Sequence, residues 1–411
     1  MRATKKSLAM TLGVATMLAV AACAPSTGGG SENGSTTESQ NASEHAPSGE
    51  PINVGIITST TGPLAAYGET FIDGFEAGLD YATDGTGEVN GGELNVTFED
   101  DGGDTDRAVT IARDLIGQGY KVLGGTASSG IALSLAEQAE QNQVLYISGP
   151  AATDAITGIN DYTFRSGRQS LQDVATAGSF VDVAGQQVLV FAQDNAFGQG
   201  NLAAVEAVLG AKGAEVTSVM VPEDVTEFTP FAAQVLDAAP TMVFVAWAGA
   251  TSGAMWQALD QQGVLDDITV VTGLGDTSTY NAYGAASEKI DFLNHYFPGA
   301  TGNEINQAMI EHVEAAGGTP DLFTPDGFVA AQMIVRAIEE AGGAEDVDAM
   351  ISALEGWEFD GPKGSYTIRE SDHALIQPMF QAKLVSDGSG GWVPELVSEA
   401  APEDVAPPEA G

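Results

Sequence analysis

The sequence predicts an α/β protein of two Rossmann-like lobes, each a parallel sheet wrapped by helices, the pair joined by a multi-strand hinge. Three observations carry that expectation. Short apolar runs alternate with longer amphipathic segments from Pro51 onward, the alternation begins afresh near Gln187, and the stretch between two polar ends is longer than one core ordinarily supports.

The first round of strands is Ile52–Thr58, Leu94–Glu99, Tyr120–Gly124 and Val144–Ser148, with helical patterns over 64–81, 105–118 and 131–142. In the second helix Val109, Ala112, Leu115 and Ile116 share one face. The second round places strands at Gln187–Gln193, Val216–Val221, Met242–Trp247 and Ile268–Thr272, with helices near 196–212, 227–238 and 252–262. Strand-helix-strand repetition of this kind builds parallel sheets covered on both faces. Beyond Pro298 the chain turns helical near 301–317, 325–342 and 346–355, then β-rich at Tyr366–Ile368 and Pro378–Val385. Periodicity alone assigns this ending to neither lobe. Crossings are expected near Phe164–Gln169, Tyr296–Gly299 and Ile376–Met379.

The amino terminus reads as an export signal over 1–22. Arg2, Lys5 and Lys6 precede an apolar stretch, Leu8–Val20, that is too short to span a bilayer. Val20-Ala21-Ala22-Cys23 resembles the bacterial lipobox, which implies lipidation of Cys23, the only cysteine. An unpaired thiol in an exported chain has no disulfide partner, and two acyl chains suffice for stable anchoring. Residues 23–50 form a Gly/Ser/Thr-rich leash, and 398–411 an acidic tail; both are expected to be disordered.

The chain carries 14 basic and 57 acidic residues, and removing 1–22 leaves 11 basic against 57 acidic, a formal charge of −46. Phosphate backbones repel such a polyanion, so nucleic acid is excluded as a partner and the membrane is reached through the lipid alone. The four histidines are scattered without zinc spacing, and neither a phosphate-loop lysine nor GxSxG occurs; no metal, cofactor or catalytic residue is expected. Asp100, Asp101 and Asp104 surround Gly102 and Gly103, a pattern that reads as a turn with Asp104 capping the next helix.

In open parallel sheets ligands bind beyond the carboxyl ends of the strands. There the first lobe offers Thr58–Pro63 leading to Tyr67, Thr126–Gly130, and Gly149–Thr153. Hydroxyls and unpaired N–H groups at helix starts attract anions; Ser128, Ser129 or Thr153 taken singly reads as a plain cap, whereas two such loops converging from neighbouring strands point to a carboxylate site.

At these loops the sequence resembles the leucine/isoleucine/valine-binding proteins, substrate receptors of ABC importers with the type I periplasmic binding fold. The likeness runs from Ile52 to Val385 and is carried by Thr61–Gly68 (TGPLAAYG), Val89–Leu94 (VNGGEL), Glu99–Gly102 through Ala108-Val109, Thr126–Gly130, Pro150–Thr153 and Phe197–Gly200. It implies 51–167 with 299–376 for one lobe and 168–298 with 377–397 for the other. Between them it implies a ligand cleft with Ser128, Thr153 and Ser129 at an α-carboxylate, the Ala151 carbonyl at an α-ammonium, and Tyr67, Phe197 and Trp247 as walls. The acidic partner of the ammonium falls at Asp276, one residue beyond the family position. A monomeric, extracytoplasmic, lipid-anchored receptor is implied, delivering a branched-chain amino acid or related small carboxylate to an ABC importer permease. Amides, urea-like solutes and aromatic acids remain open as ligands, and a secreted hydrolase using paired carboxylates is the alternative of another class.

Overall fold

The structure, a computed structural model, describes residues 49–410, the side chains of Asp267 and Ala285 excepted. The expected signal, Cys23 and nearly all of the leash lie outside the described residues. None of the described helices is long and apolar enough to cross a membrane.

The chain runs through β1 (Ile52–Thr58), α1 (Ala65–Ala82), β2 (Glu88–Val89), β3 (Gly92–Asp100), α2 (Thr105–Gly117), β4 (Val122–Gly124), α3 (Ser129–Asn142), β5 (Leu145–Ser148) and β6 (Thr163–Arg165). These strands form one sheet in the order β2-β3-β1-β4-β5-β6, parallel apart from the β2 hairpin. Successive side chains of a strand face opposite sides, and the apolar runs use both. Val54, Ile56, Val122, Leu145 and Ile147 enter one buried cluster, while Ile57, Leu123 and Tyr146 enter another with α2 and α3.

A second sheet follows. α4 (Ser170–Phe180), β7 (Gln187–Gln193), α5 (Ala196–Val205), β8 (Glu215–Val221), α6 (Thr229–Ala238), β9 (Met242–Ala246), α7 (Ser252–Gln262), α8 (Val264–Asp267), β10 (Thr269–Gly273), α9 (Tyr280–Tyr283) and β11 (Ile290–Asn294) lead to α10 (Glu304–Ala315), α11 (Thr324–Ala341) and α12 (Val347–Leu354). The last strands are β12 (Glu358–Gly361), β13 (Gly364–Ile368), β14 (Leu375–Ile376), β15 (Met379–Ser386) and β16 (Trp392–Ala400). The sheet order is β16-β15-β11-β10-β9-β7-β8; β7 to β11 are parallel, and β15 and β16 extend the sheet antiparallel. β12, β13 and β14 make a small third sheet.

The chain crosses three times between the second sheet and the body built on the first, whose core includes α11, α12 and the third sheet: after β6, after β11, and between β14 and β15. α11 packs against α1 of the first sheet through glycines. A Cβ on Gly74 would sit 1.8 Å from the Thr324 carbonyl oxygen, and one on Gly327 would sit 1.9 Å from that of Phe71. The two backbones therefore touch, which any larger residue forbids.

Two expectations are corrected. The helix expected over 196–212 stops at Val205 and gives way to a π-helical turn, 206–210. The tail expected to be disordered from Ser398 instead completes β16 against β15 and continues over the surface. Val405 is buried, Arg369 Nη1 donates to the Pro407 carbonyl at 2.7 Å, and the Ala410 amide donates to Asp372 Oδ2 at 2.9 Å. Composition missed this because the tail buries a single valine, Val405, and is otherwise held through its backbone by Arg369 and Asp372.

Candidate functional site

The carboxyl ends of β1, β4 and β5 face those of β7, β9 and β10 across a cavity of about 390 Å³. Its rims touch. The Gly249 amide donates to Tyr67 Oη at 3.3 Å and the Ala250 amide to the Pro63 carbonyl at 3.1 Å. Gly249 has φ +82°, and a Cβ there would come within 2.7 Å of the Pro63 oxygen, so the contact requires glycine.

Ser128 and Ser129 line the cavity at the start of α3. Ser128 is the N-cap residue, with extended backbone (φ −88°, ψ 124°), yet its hydroxyl makes no capping hydrogen bond, and the first turn holds no acidic residue. A helix start with unpaired N–H groups and a free hydroxyl is chemically an anion receptor. The loop beneath it is rigid: buried Asp101 accepts from Ser59 Oγ at 2.5 Å, from Thr126 Oγ1 at 2.6 Å and from the Gly103 amide at 2.8 Å. Asp104 caps α2 by accepting from the Arg107 amide at 2.9 Å.

Of the eight side chains singled out from sequence, five line the cavity: Tyr67, Ser128, Ser129, Phe197 and Trp247. Tyr67 packs edge-on against Phe323, with ring centroids 4.6 Å apart. Trp247 stacks on Phe191 at 5.6 Å, meets Phe228 edge-on at 5.2 Å, and donates from Nε1 to Thr251 Oγ1 at 3.0 Å.

Ala151, Thr153 and Asp276 are not among the lining residues. The Ala151 carbonyl accepts from Arg165 Nη2 at 2.9 Å, and Thr153 Oγ1 caps a 3-10 turn by accepting from the Ala155 amide at 3.3 Å. Asp276 caps the following 3-10 turn, accepting from the Ser278 amide at 2.9 Å and from the Ser278 hydroxyl. Gly275 lines the cavity in its stead, where a Cβ would meet Thr279 Oγ1 at 2.4 Å.

Sequence reasoning did not single out Arg168, Asp173, Asn294, His295 or Phe323, which also line the cavity. Arg168 lies in the first crossing, Asp173 in the first turn of α4, and Asn294 and His295 at the end of β11. Arg168 Nη1 donates to the Pro150 carbonyl at 3.0 Å, its Nε faces Asp173 Oδ2 at 3.3 Å, and its guanidinium lies 5.6 Å from the Phe323 ring centre. Burial raises the Asp173 carboxyl above the usual range, against the pull of Arg168. Burial, reinforced by Arg168 and Lys363, holds His295 neutral, well below its ordinary pKa of 6.5. Behind the cavity wall burial pushes Asp326 up to about 7 and Lys363 down to about 7, with Lys363 Nζ donating to Gln377 Oε1 at 2.6 Å. The only signal in the sequence is polarity: an arginine within the segment expected to cross between lobes and an aspartate shortly after it.

Residues 51–389 match the periplasmic binding protein family model. A Leu/Ile/Val-binding protein homolog 3 of Brucella melitensis is 25% identical over 342 residues, 82% of this chain and 92% of that protein. The Leu/Ile/Val-binding protein BraC3 of Rhizobium johnstonii is 25% identical over 331 residues, 79% of this chain and 89% of that protein. A crystal structure of an ABC-type branched-chain amino acid transporter from Rhodopseudomonas palustris is 32% identical with a TM-score of 0.73, covering 87% of this chain and 99% of that one. An R. palustris solute-binding protein crystallised with 4-hydroxybenzoate shares the fold at a TM-score of 0.77 and 20% identity, covering 86% and 97%. Matched over most of its length and built on two facing α/β sheets around a cleft, the chain belongs to the periplasmic binding protein family, among the relatives of the leucine/isoleucine/valine-binding proteins.

Proposed function

We propose that the chain is the extracytoplasmic solute receptor of an ABC importer, capturing a small amino acid or related carboxylate by closing its two lobes and handing it unchanged to the permease. The observation that carries this reading is the Ser128 hydroxyl, left uncommitted at the start of a 14-residue helix and facing a cavity between two sheets. The ligand's carboxylate meets Ser128, Ser129 and the α3 amides, and its apolar body meets Tyr67, Phe197 and Trp247. Closure strips water from the carboxylate and its hydroxyl and amide donors, which strengthens their attraction; micromolar affinity needs about −8 kcal/mol. A branched-chain amino acid is the leading ligand, in keeping with what the named relatives bind. The aromatic walls favour a second reading, an aromatic carboxylate.

Cys23 carries the lipid in this reading, so the receptor works as a monomer tethered beside its importer at high effective concentration. Thermal unfolding of the protein lacking residues 1–23 tests the proposal across amino acids, amides and aromatic acids. A solute that raises the midpoint at micromolar concentration and is recovered unchanged is the expected result; turnover of the solute would make the protein an enzyme instead.

A further inference from the structure

We propose that Asp173 receives the ligand's ammonium group and that Arg168 beside it shares the carboxylate, so that the segment crossing between the lobes, not the loop after β10, reads a zwitterion. This rests on the reading of the chain as a receptor for amino acids and related carboxylates.

Neither group that the resemblance assigns to an ammonium lines the cavity, and each is engaged elsewhere: the Ala151 carbonyl by Arg165, and Asp276 through Oδ1 by Ser278. Two carboxylates line the cavity among the described residues, Asp173 and Glu223. Glu223 is exposed and takes a hydrogen bond from Asn195 Nδ2 at 2.6 Å. Asp173 is enclosed, 5% exposed, and only its Oδ2 has a counterpart, Arg168 Nε; Oδ1 has no hydrogen-bond partner.

Arg168 is equally incomplete. It is 9% exposed, Nη1 is held by the Pro150 carbonyl, and Nη2 donates to no group among the described residues. Pro150 adjoins Ala151, whose amide donates to the Thr126 carbonyl at 3.1 Å, two residues before Ser128. The guanidinium and the start of α3 therefore approach the cavity from neighbouring loops. Asn294, 1% exposed, adds an amide whose two polar atoms are both unpartnered.

A buried ion pair is costly, and apolar residues in its place are often as stable. An amino acid entering here supplies each member with a second counter-charge, its ammonium to Asp173 and its carboxylate to Arg168. The pair then has a reason to line a cavity.

The test uses calorimetric titration with two matched pairs, L-leucine against 4-methylpentanoate and L-phenylalanine against 3-phenylpropanoate, whose members differ in the ammonium alone. In the parent protein the amino acid of the bound pair is expected to bind at least about tenfold more tightly, 1.4 kcal/mol. Asp173→Asn should reduce that ratio to within about threefold without weakening the deaminated acid, and Asp276→Asn should leave it intact. Asp173→Glu, which keeps the charge, should retain part of the ratio and serves if the asparagine variant misfolds. Equal binding of both members by the parent, or a tenfold ratio surviving in Asp173→Asn, overturns the assignment while the carboxylate receptor stands. If no member of either pair binds, the receptor reading fails and takes this inference with it.

Discussion

Tyr67 and Gly249, 182 positions apart, are hydrogen-bonded across the mouth of the cavity, the amide donating to the phenolic oxygen at 3.3 Å. Beside them the Ala250 amide reaches the Pro63 carbonyl. The closed cleft is thus fastened by protein groups at its rim.

Removing one of these fasteners should open the cleft more often. A single hydrogen bond contributes about 0.5–1.5 kcal/mol, so Tyr67→Phe is expected to weaken ligand binding about threefold to tenfold. Most of that loss should appear as faster dissociation, read by stopped-flow tryptophan fluorescence. An unchanged dissociation rate would show that the rim contact does not hold the closed state.

The hydroxyls at the helix starts should separate by role. Ser128→Ala is expected to lower affinity by at least about tenfold with little change in unfolding, because its hydroxyl is not used by the helix. Thr153→Ala and Asp276→Ala each remove a working cap and should cost about 1 kcal/mol of stability while leaving carboxylate affinity within about twofold. The reverse pattern, affinity lost in Thr153→Ala and kept in Ser128→Ala, would move the carboxylate site to the loop after β5.

The contact of α1 with α11 leaves no room for a methyl group. Gly74→Ala places a carbon 1.8 Å from the Thr324 oxygen and should cost about 3 kcal/mol or more in urea unfolding. A loss below about 1 kcal/mol would mean that the helices part without penalty.

Buried His295 and Asp326, with Nε2 and Oδ2 4.0 Å apart, should pull acid stability in opposite directions. Below pH 6.5 the unfolded chain protonates this histidine and the folded one does not, so His295 withdraws stability as pH falls. Asp326 is raised from 3.8 to about 7, so between those values the folded carboxyl keeps a proton that the unfolded one releases, and falling pH adds stability. Asp326→Asn should therefore steepen the decline of stability from pH 6.5 to 5, by up to about 1.4 kcal/mol per pH unit, and His295→Gln should make it shallower. Parallel profiles for the two variants and the parent would contradict this pairing.

What the sequence discloses and what it hides follow a physical line. β1, β7 and α7 appear at their expected bounds because a strand buried on both faces, or a helix with one apolar stripe, writes its period into neighbouring residues. β6 shows in the sequence only as a crossing near Phe164 because it is three residues long, and β11, which ends at polar Asn294, does not show at all. The same limit applies to the site. Ser128 at the N-cap of α3 and Tyr67 in the first turn of α1 belong to recognisable local patterns, whereas Arg168 and Asp173 acquire their neighbours only when Pro150 and Phe323 are brought to them by the fold. Asp276 illustrates the converse, since a carboxylate near the right strand end is turned aside by Ser278, two residues away.

The fasteners between Tyr67 and Gly249 and between Pro63 and Ala250 join the protein to itself, so they form whatever lies inside. In the proposed receptor the lifetime of these two contacts would then bound how long a captured solute stays. On the proposed function, a permease gripping both rims would hasten release by prying them apart, with no need to compete for the solute. Because Tyr67 is both a fastener and a wall of the cavity, release and recognition share one residue.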